Sequence, residues 1–333
     1  MVTSRDVAAA AGVSQATVSR TLSGVGGVSE KTRARVLKAS EKLGYELNHA
    51  ARAMRTQRSG TIGVVVDRVT NPFYPEVIES LSRILGEYDL RMILWESQGA
   101  GERGAIQAIG QRMVDGLIFT TATASSMPLA IALAAGAPMV LVNRIVEGVL
   151  CDQVDTDNAS ISGRIAGYFA KAGHLRAGLI GGSDDASTAR DRGQGFLAGA
   201  KKHGLHVPDE FVVGGGFSHK GGYEALLRLF EQANPPTAIF CSNDLSAFGA
   251  LDAARTLKIK VPEELWVTGY DDIDMASWEA FSLTTARQPI DAMVKIAVQL
   301  LLERIDNPKK QATHHRFSAE LMVRGSTAHT PFD

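Results

Sequence analysis

The sequence predicts a small all-α head joined to a larger α/β body of two lobes with parallel sheets. Three observations carry that prediction. An alanine-rich helix, "DVAAAA", is cut at Gly12 and a second helix begins almost at once. From Thr61 onward, compact apolar segments alternate with helical ones. The charge also changes sign between the two parts. Residues 1–58 hold ten Lys/Arg against four Asp/Glu, a formal +6, while the remainder holds 25 against 32, a formal −7.

In the head, the first helix spans about residues 4–11, where Ala8 to Ala11 have the highest helix propensity available. Gly12 stops it, and Ser14 supplies an N-cap for a second helix over about 15–23. A third helix starts near Ser29, with an apolar stripe of Val36, Leu37 and Leu43, and Gly44 as its C-cap. Two short helices joined through glycine form a helix-turn-helix, whose second helix enters the major groove of DNA. Val18 and Leu22 lie four apart and face Val7 and Ala11. Ala16 and Arg20 lie on the opposite side. Gln15 stands at the N-terminal tip. Arg20 has the donors to grip guanine, and Gln15 the donor and acceptor to pair with adenine. Ser4, Ser14, Thr17 and Ser19 supply hydroxyls for phosphates. A basic head on an acidic body fits a polyanionic partner.

In the body, "TIGVVVD", "LRMILWE", "DGLIFT" and "PMVLVN" read as strands, followed after a helix over about 158–172 by "RAGLIGG", "EFVVGG", "TAIFCS" and "LWVTGY". Strands alternating with helices form parallel sheets covered on both faces. Some 270 residues of this pattern exceed one comfortable core, hence two lobes. Ligands bind such sheets beyond the carboxyl ends of the strands. The polar and aromatic residues there are Asn71, Phe73, Tyr74, Asn143, Arg144, Arg192, Phe217, Asn243, Asp244, Asp271, Asp272 and Gln288. Asp244 and Asp272 are also placed to cap helices, and Asn71 favours the turn before Pro72.

Other classes are disfavoured. No apolar run approaches the roughly 18 residues of a membrane span, and no secretory h-region follows Arg5 and Asp6. The expected location is therefore the cytoplasm. Cys151 and Cys241 have no metal-ligand spacing and fit a reducing compartment. "GAGERG" matches GxGxxG, but it follows the second strand of its lobe and lacks the acidic residue about 20 positions on that would hold a ribose. There is no GxSxG, Walker loop or HExxH, and His174 in "KAGHLRAG" reads as structural. No catalytic residue, metal or cofactor is expected, and the chain is not expected to be an enzyme. A solute-binding protein would explain the cleft but neither the head nor the missing signal.

The run "TSRDVAAAAGVSQATVSRTLSG" with "VSEKTRARVLKASEKLGYELNHAARAMRT" behind it resembles the DNA-binding head of the lactose-repressor/galactose-repressor (LacI/GalR) family. The likeness continues through "NPFYPEVIESL", "MVDGLIF", "KAGHLRAGLIGG", "RGQGFLAG", "CSNDLSAFGAL", "VTGYDDID", "LTTARQP" and "LMVRGST", in the family's order. The resemblance implies a helix-turn-helix domain over 1–46, a hinge helix and linker over 47–59, and a two-lobed, type I periplasmic-binding-protein-like core over 60–333. The N-lobe is placed at about 60–158 and 289–317, the C-lobe at about 159–288 and 318–333. It implies base reading by Gln15, Ala16 and Arg20, with Ala16 limited to apolar contact such as a thymine methyl. Thr17 and Ser19 match phosphate-contacting positions.

"NHAARAMRT" matches the segment that becomes helical on operator DNA, with Asn48 as its cap and Ala51 allowing close approach of two such helices. Arg52 and Arg55 meet phosphates. Met54 stands where the family has a leucine wedged into the minor groove, and Leu47 where it usually has proline. Phe73, Asn143, Arg192, Phe217, Asn243, Asp271 and Gln288 match effector-contacting positions. The implied function is a ligand-responsive repressor of a sugar or related carbon-source operon. It reads a near-palindromic operator as a homodimer, with a sugar or sugar derivative as effector. The alternatives are a purine-responsive repressor and a small-molecule (sugar) binding protein without a transcriptional role.

Overall fold

The computed structural model describes residues 2–22, 27–45, 58–97, 100–123 and 125–327. The chain divides into two compact units, Met1–Ser59 and Gly60–Asp333. The predicted hinge positions Asn48, Ala51, Arg52, Met54 and Arg55 lie outside the described residues.

The head holds helices α1 (Ser4–Ala11), α2 (Gln15–Leu22) and α3 (Glu30–Leu43). Asp6 starts α1 by accepting hydrogen bonds from the Thr3 backbone N–H at 2.8 Å and the Thr3 hydroxyl at 2.7 Å. These bonds hold its carboxyl below the usual range. Gly12 ends α1 at φ 61°, with Val13 N–H donating to Ala8 O at 3.0 Å, a left-handed termination that glycine adopts without strain. Ser14 Oγ then accepts from Thr17 N–H at 3.1 Å and starts α2. Val7, Val18 and Val36 are fully buried together, with Ala8, Ala11 and Ala39 beside them. Leu22 and Leu43 pack at the fringe of this cluster. Leu37 departs from the predicted stripe. It is 48% exposed, because a 3.6-residue period through Val36 continues at Ala39 and Ser40 and leaves position 37 about 100° away.

The core unit holds two six-stranded sheets. The N-terminal sheet contains β1 (Thr61–Val66), β2 (Arg91–Glu96), β3 (Gly116–Phe119), β4 (Met139–Val142) and β5 (Asp152–Thr156), with β11 (His314–Phe317), in the order β11-β5-β4-β3-β1-β2. All its pairings are parallel. It packs against α4 (Phe73–Glu87), α5 (Gly101–Gly110), α6 (Met127–Ala134) and α11 (Ile290–Asp306). The second sheet contains β6 (Ala177–Gly181), β7 (Val212–Gly214), β8 (Ala238–Cys241), β9 (Trp266–Asp271), β10 (Thr284–Arg287) and β12 (Glu320–Met322). Its order is β12-β10-β9-β8-β6-β7, and only the β10–β12 pair is antiparallel. Its helices are α7 (Asn158–Lys171), α8 (Ser187–His203), α9 (His219–Phe230) and α10 (Asp244–Leu257).

The eight strands legible in the sequence are present. Four others, β5, β10, β11 and β12, were not predicted. "DQVDT", "TTAR" and "HHRF" carry no apolar run; the buried polar groups of the first two are satisfied by hydrogen bonds and ion pairs, while the polar residues of the third are exposed. Asp152 is fully buried against Arg304 at 2.8 Å, and Asp155 accepts from His314 at 2.8 Å and Arg316 at 2.9 Å.

The chain passes between the lobes at Asp157, at Gln288–Pro289 and at residues 318–319. In the second lobe, α8 lies against α7 so closely that a Cβ at Gly195 would stand 2.3 Å from Ala159 O. That close approach brings Arg192, one turn earlier on α8, within reach of the start of α7.

Candidate nucleic-acid interface and effector cleft

On α2, Gln15, Ala16 and Arg20 are exposed, while Val18 and Thr21 face the core. Arg20 has no acidic partner among the described residues. Gln15 Nε2 donates to Ser4 Oγ at 2.8 Å, which fixes the tip residue against α1 and leaves the Ser4 proton to donate elsewhere. Ser14 and Thr17 join hydroxyls at 2.9 Å, so Ser14 serves the α2 cap as well as being exposed. Ser19 is half-buried on the same helix. The arrangement presents amide, methyl and guanidinium groups on one convex helix face, with hydroxyls around them.

In the core unit, a cavity of about 230 Å³ lies between the carboxyl ends of the strands of both sheets. Phe73, Asn143, Arg192, Phe217, Asn243 and Asp271 all line it. Three of these have left-handed or otherwise positive φ without being glycine: Asn143 at 70°, Phe217 at 55° and Asp271 at 116°. Such backbone strain is retained where surrounding structure enforces it, commonly at ligand sites. Asn143 Oδ1 is buried without a partner among the described residues, an acceptor that a ligand donor would satisfy. The Phe217 ring sits over Gly182, where a Cβ would come within 2.2 Å of it.

Arg192 is the best organised group. It is 3% exposed, and donates from Nε to Asn158 Oδ1 at 2.8 Å and from Nη1 to Ser242 O at 2.7 Å. Its Nη2 lies 3.3 Å from Asp271 Oδ1, and its plane stacks 3.6 Å over the Tyr270 ring. Burial raises the Asp271 carboxyl to about 6, opposed by the Arg192 charge and a hydrogen bond from Gln288.

Gln288 is placed differently from the expectation. It does not line this cavity; it lies behind Asp271, donating Nε2 to Asp271 Oδ1 at 2.9 Å and accepting from Thr156 Oγ1 at 2.8 Å. Asn158 donates to Thr156 O at 3.0 Å. Arg192, Asp271, Gln288, Thr156 and Asn158 thus close a ring of polar contacts, all of them buried. Two of its members, Thr156 and Gln288, adjoin passages between the lobes.

The capping roles also differ from expectation. Asn243, not Asp244, caps α10, with Oδ1 accepting from Ser246 N–H at 3.0 Å, and its Nδ2 donates to Phe217 O at 3.4 Å. Asp244 is fully buried. It accepts from Ile273 N–H at 2.9 Å and Thr285 Oγ1 at 2.5 Å, and desolvation together with the nearby Asp271 charge pushes its carboxyl well up. Asp272 caps no helix among the described residues; it pairs with Arg287 at 2.5 Å and Arg324 at 2.6 Å. Asn71 does hold its turn, with Oδ1 accepting from Phe73 N–H at 3.2 Å, and also lines the cavity. His174 is packed 4.6 Å from Trp266, with Nδ1 at 2.8 Å from Thr237 Oγ1, and burial lowers its pKa.

Asp67, Arg68, Thr70, Ser183, Thr188, Gly216, Ser218 and Leu245 complete the lining without having been predicted. Asp67 and Ser183 follow β1 and β6 closely, so strand-end position alone marks them. Two contacts between lobes stand near the cavity. Ile145 N–H donates to Ser187 Oγ at 3.0 Å, and Arg190 pairs with Glu147 at 3.2 Å.

A convex reading helix on a compact head, carried on the same chain as a polar cleft between two parallel-sheet lobes, defines a ligand-responsive DNA-binding regulator. Residues 3–48 match the family model described as bacterial regulatory proteins, lacI family, and residues 166–327 match the periplasmic binding protein-like domain. The chain is 33% identical over 330 residues to the ribose operon repressor of Escherichia coli K12, covering 98% of this chain and 100% of that one. It is 31% identical to the HTH-type transcriptional repressor PurR of Photobacterium profundum, covering 98% of each. A solved complex of the transcriptional regulator CelR with cellobiose superposes with a TM-score of 0.75 at 28% identity, covering 98% of this chain and 100% of that chain. The chain belongs to the LacI family of transcriptional repressors. Among the described residues no helix is long and apolar enough to cross a membrane.

Proposed function

We propose that this protein represses a carbon-source operon, acting in the cytoplasm as a homodimer on a near-palindromic operator, and that a hydroxylated sugar-like effector controls it from the cleft. Gln15, Ala16 and Arg20 read bases, while Ser4, Ser14, Thr17 and Ser19 meet phosphates. Asn48, Ala51, Arg52, Met54 and Arg55 form the hinge contact with the minor groove. The observation that carries the effector assignment is the Arg192–Asp271 pair, held rigid by Asn158, Ser242, Gln288 and Tyr270. A fixed guanidinium offers donors and the carboxylate an acceptor, which together suit vicinal hydroxyls. Phe73 and Phe217 add apolar faces for a ring. The chain supplies no catalytic group in this reading; its work is binding. The effector changes operator affinity only by binding the two lobe orientations unequally.

The 33% identity to a ribose operon repressor and the likeness to a cellobiose-bound regulator support a sugar. The identity to PurR supports a purine as the second reading. A thermal-shift screen of sugars, sugar acids, sugar phosphates and nucleobases separates them. Hits are then followed by operator binding with and without ligand. A hit that survives Arg192→Lys with unchanged affinity would remove the cleft assignment.

A further inference from the structure

Arg144 follows β4 and lines the same cavity as Arg192, but the two guanidinium groups are served very unequally. The Arg144 side chain is only 9% exposed, so little of it is in contact with bulk water. Its Nη1 reaches Thr121 O at 3.3 Å, its Nη2 lies 3.7 Å from Asp67 Oδ2, and its Nε has no partner among the described residues. A guanidinium carries five N–H donors, and leaving them unmet in a buried setting is costly. The cavity as a whole also has a cation surplus. Arg68, Arg144 and Arg192 face it with Asp67 and Asp271, and Arg68 is exposed and unpaired among the described residues. Tyr74 lines the same cavity, within electrostatic reach of Arg144 and Asp67 and also of Arg192 and Asp271. Its hydroxyl makes no hydrogen bond among the described residues, and burial pushes the phenol up to about 12, so it remains a donor at neutral pH.

We propose that the effector carries an anionic group, a carboxylate or a phosphate, which docks on Arg144 and Tyr74 while its hydroxyls face Arg192 and Asp271. This rests on the cleft being the effector site. The planar fork of Arg144 matches two anion oxygens. Asp67 is the internal stand-in: its side chain is 30% exposed and its contact with Arg144 is long, so a bound anion displaces it at little cost. The Arg192 end is already neutralised by Asp271, which directs the effector's charge to the Arg144 end.

The test is calorimetric titration of the full-length protein with matched pairs: D-gluconate against D-glucose, and ribose 5-phosphate against ribose. The anionic member of at least one pair binds about tenfold tighter or better than its neutral parent. The gluconate and phosphate arms distinguish the two sources of charge. Arg144→Gln brings the pair to near-equal affinity, and Arg144→Lys retains part of the preference. Asp67→Asn, a conservative change at a partly exposed side chain, raises the preference severalfold. Equal or tighter binding of the neutral member in every pair overturns the inference and leaves the cleft assignment standing, as does a preference that persists in Arg144→Gln or falls in Asp67→Asn. If none of the four compounds binds at millimolar concentration, the sugar-like effector reading fails and the inference with it; binding that ignores Arg192→Lys removes the cleft assignment itself.

Discussion

Effector binding should weaken as the pH is lowered from 7 to 5, over a range where ordinary carboxylates do not titrate. Asp271 is 6% exposed, and burial raises its carboxyl to about 6, with Arg192 and Gln288 only partly offsetting this. With that value the group is about ten-elevenths ionised at pH 7 and about one-eleventh at pH 5. An effector whose hydroxyl donates to the ionised carboxylate therefore loses about tenfold in affinity, about 1.4 kcal/mol. A carboxylate near its usual value would change affinity by less than about a tenth over the same range. Stability of the free core has the opposite sign. Asp271 binds its proton more tightly folded than unfolded, so this group favours the native state at low pH, and that contribution is lost as the pH rises from about 4 through about 6. Buried Asp244, also shifted upward, contributes in the same direction. The assay is calorimetry with a screened ligand at pH 7, 6 and 5, with Asp271→Asn as the control that should abolish the pH dependence. A flat affinity between pH 7 and 5, or one whose decline is unchanged in Asp271→Asn, would refute the reasoning.

Four other outcomes are expected. Arg20→Ala should relax the operator preference in a binding-site selection, costing about 1–3 kcal/mol at one base pair; an unchanged preference would remove Arg20 from base reading. Thr21→Val should stabilise the head by about 1 kcal/mol, because Thr21 Oγ1 is buried without a partner among the described residues. Hydrogen exchange of the α2 amides reads this directly, and faster exchange would count against it. Met54→Gly should weaken specific binding far more than nonspecific binding, and equal losses would exclude a minor-groove wedge. Gln288→Leu should leave effector affinity within severalfold but reduce the effector's influence on operator affinity; an intact response would deny Gln288 a part in coupling.

The head was legible almost to the residue because its signals are local. Gly12 and Gly44 end helices at positive φ, and Ser14 and Ser29 start them, all within one turn of the feature they specify. The strands were legible only where both faces are apolar. β5 and β11 are strands by virtue of partners far away in sequence: Asp152 pairs with Arg304, and Asp155 with Arg316. No period within "DQVDT" reports that. The same distance effect decided the caps. Asn243 and Asp244 both have capping side chains, but Ile273 and Thr285 claim the Asp244 carboxylate and leave the cap to its neighbour. Arg144 was named among the strand-end residues but not among the effector contacts; its unmet donors are a property of the folded cavity alone.

Coupling of the cleft to the head requires that ligand contact be felt where the lobes join, and the placement of Gln288 bears on this. As a cleft residue it would add one more ligand contact. Behind Asp271, it instead ties the cavity-lining carboxylate to Thr156, and through Asn158 back to Arg192. The chain leaves one lobe just after Thr156 and the other at Gln288–Pro289, so two of the three passages are held by the same buried ring that orients Arg192 and Asp271. Interiors are close-packed and yield little to small strains. A ligand that drew Arg192 and Asp271 toward one geometry would therefore bias the dihedral angles at Asp157 and Pro289. The rim contacts Ile145–Ser187 and Glu147–Arg190 span the lobes beside the same cavity. They add to the energy difference between the lobe orientations only while these residues remain within reach. On the proposed reading of the cleft, the ring would set which orientation a ligand favours, and the rim would contribute to how strongly it is favoured.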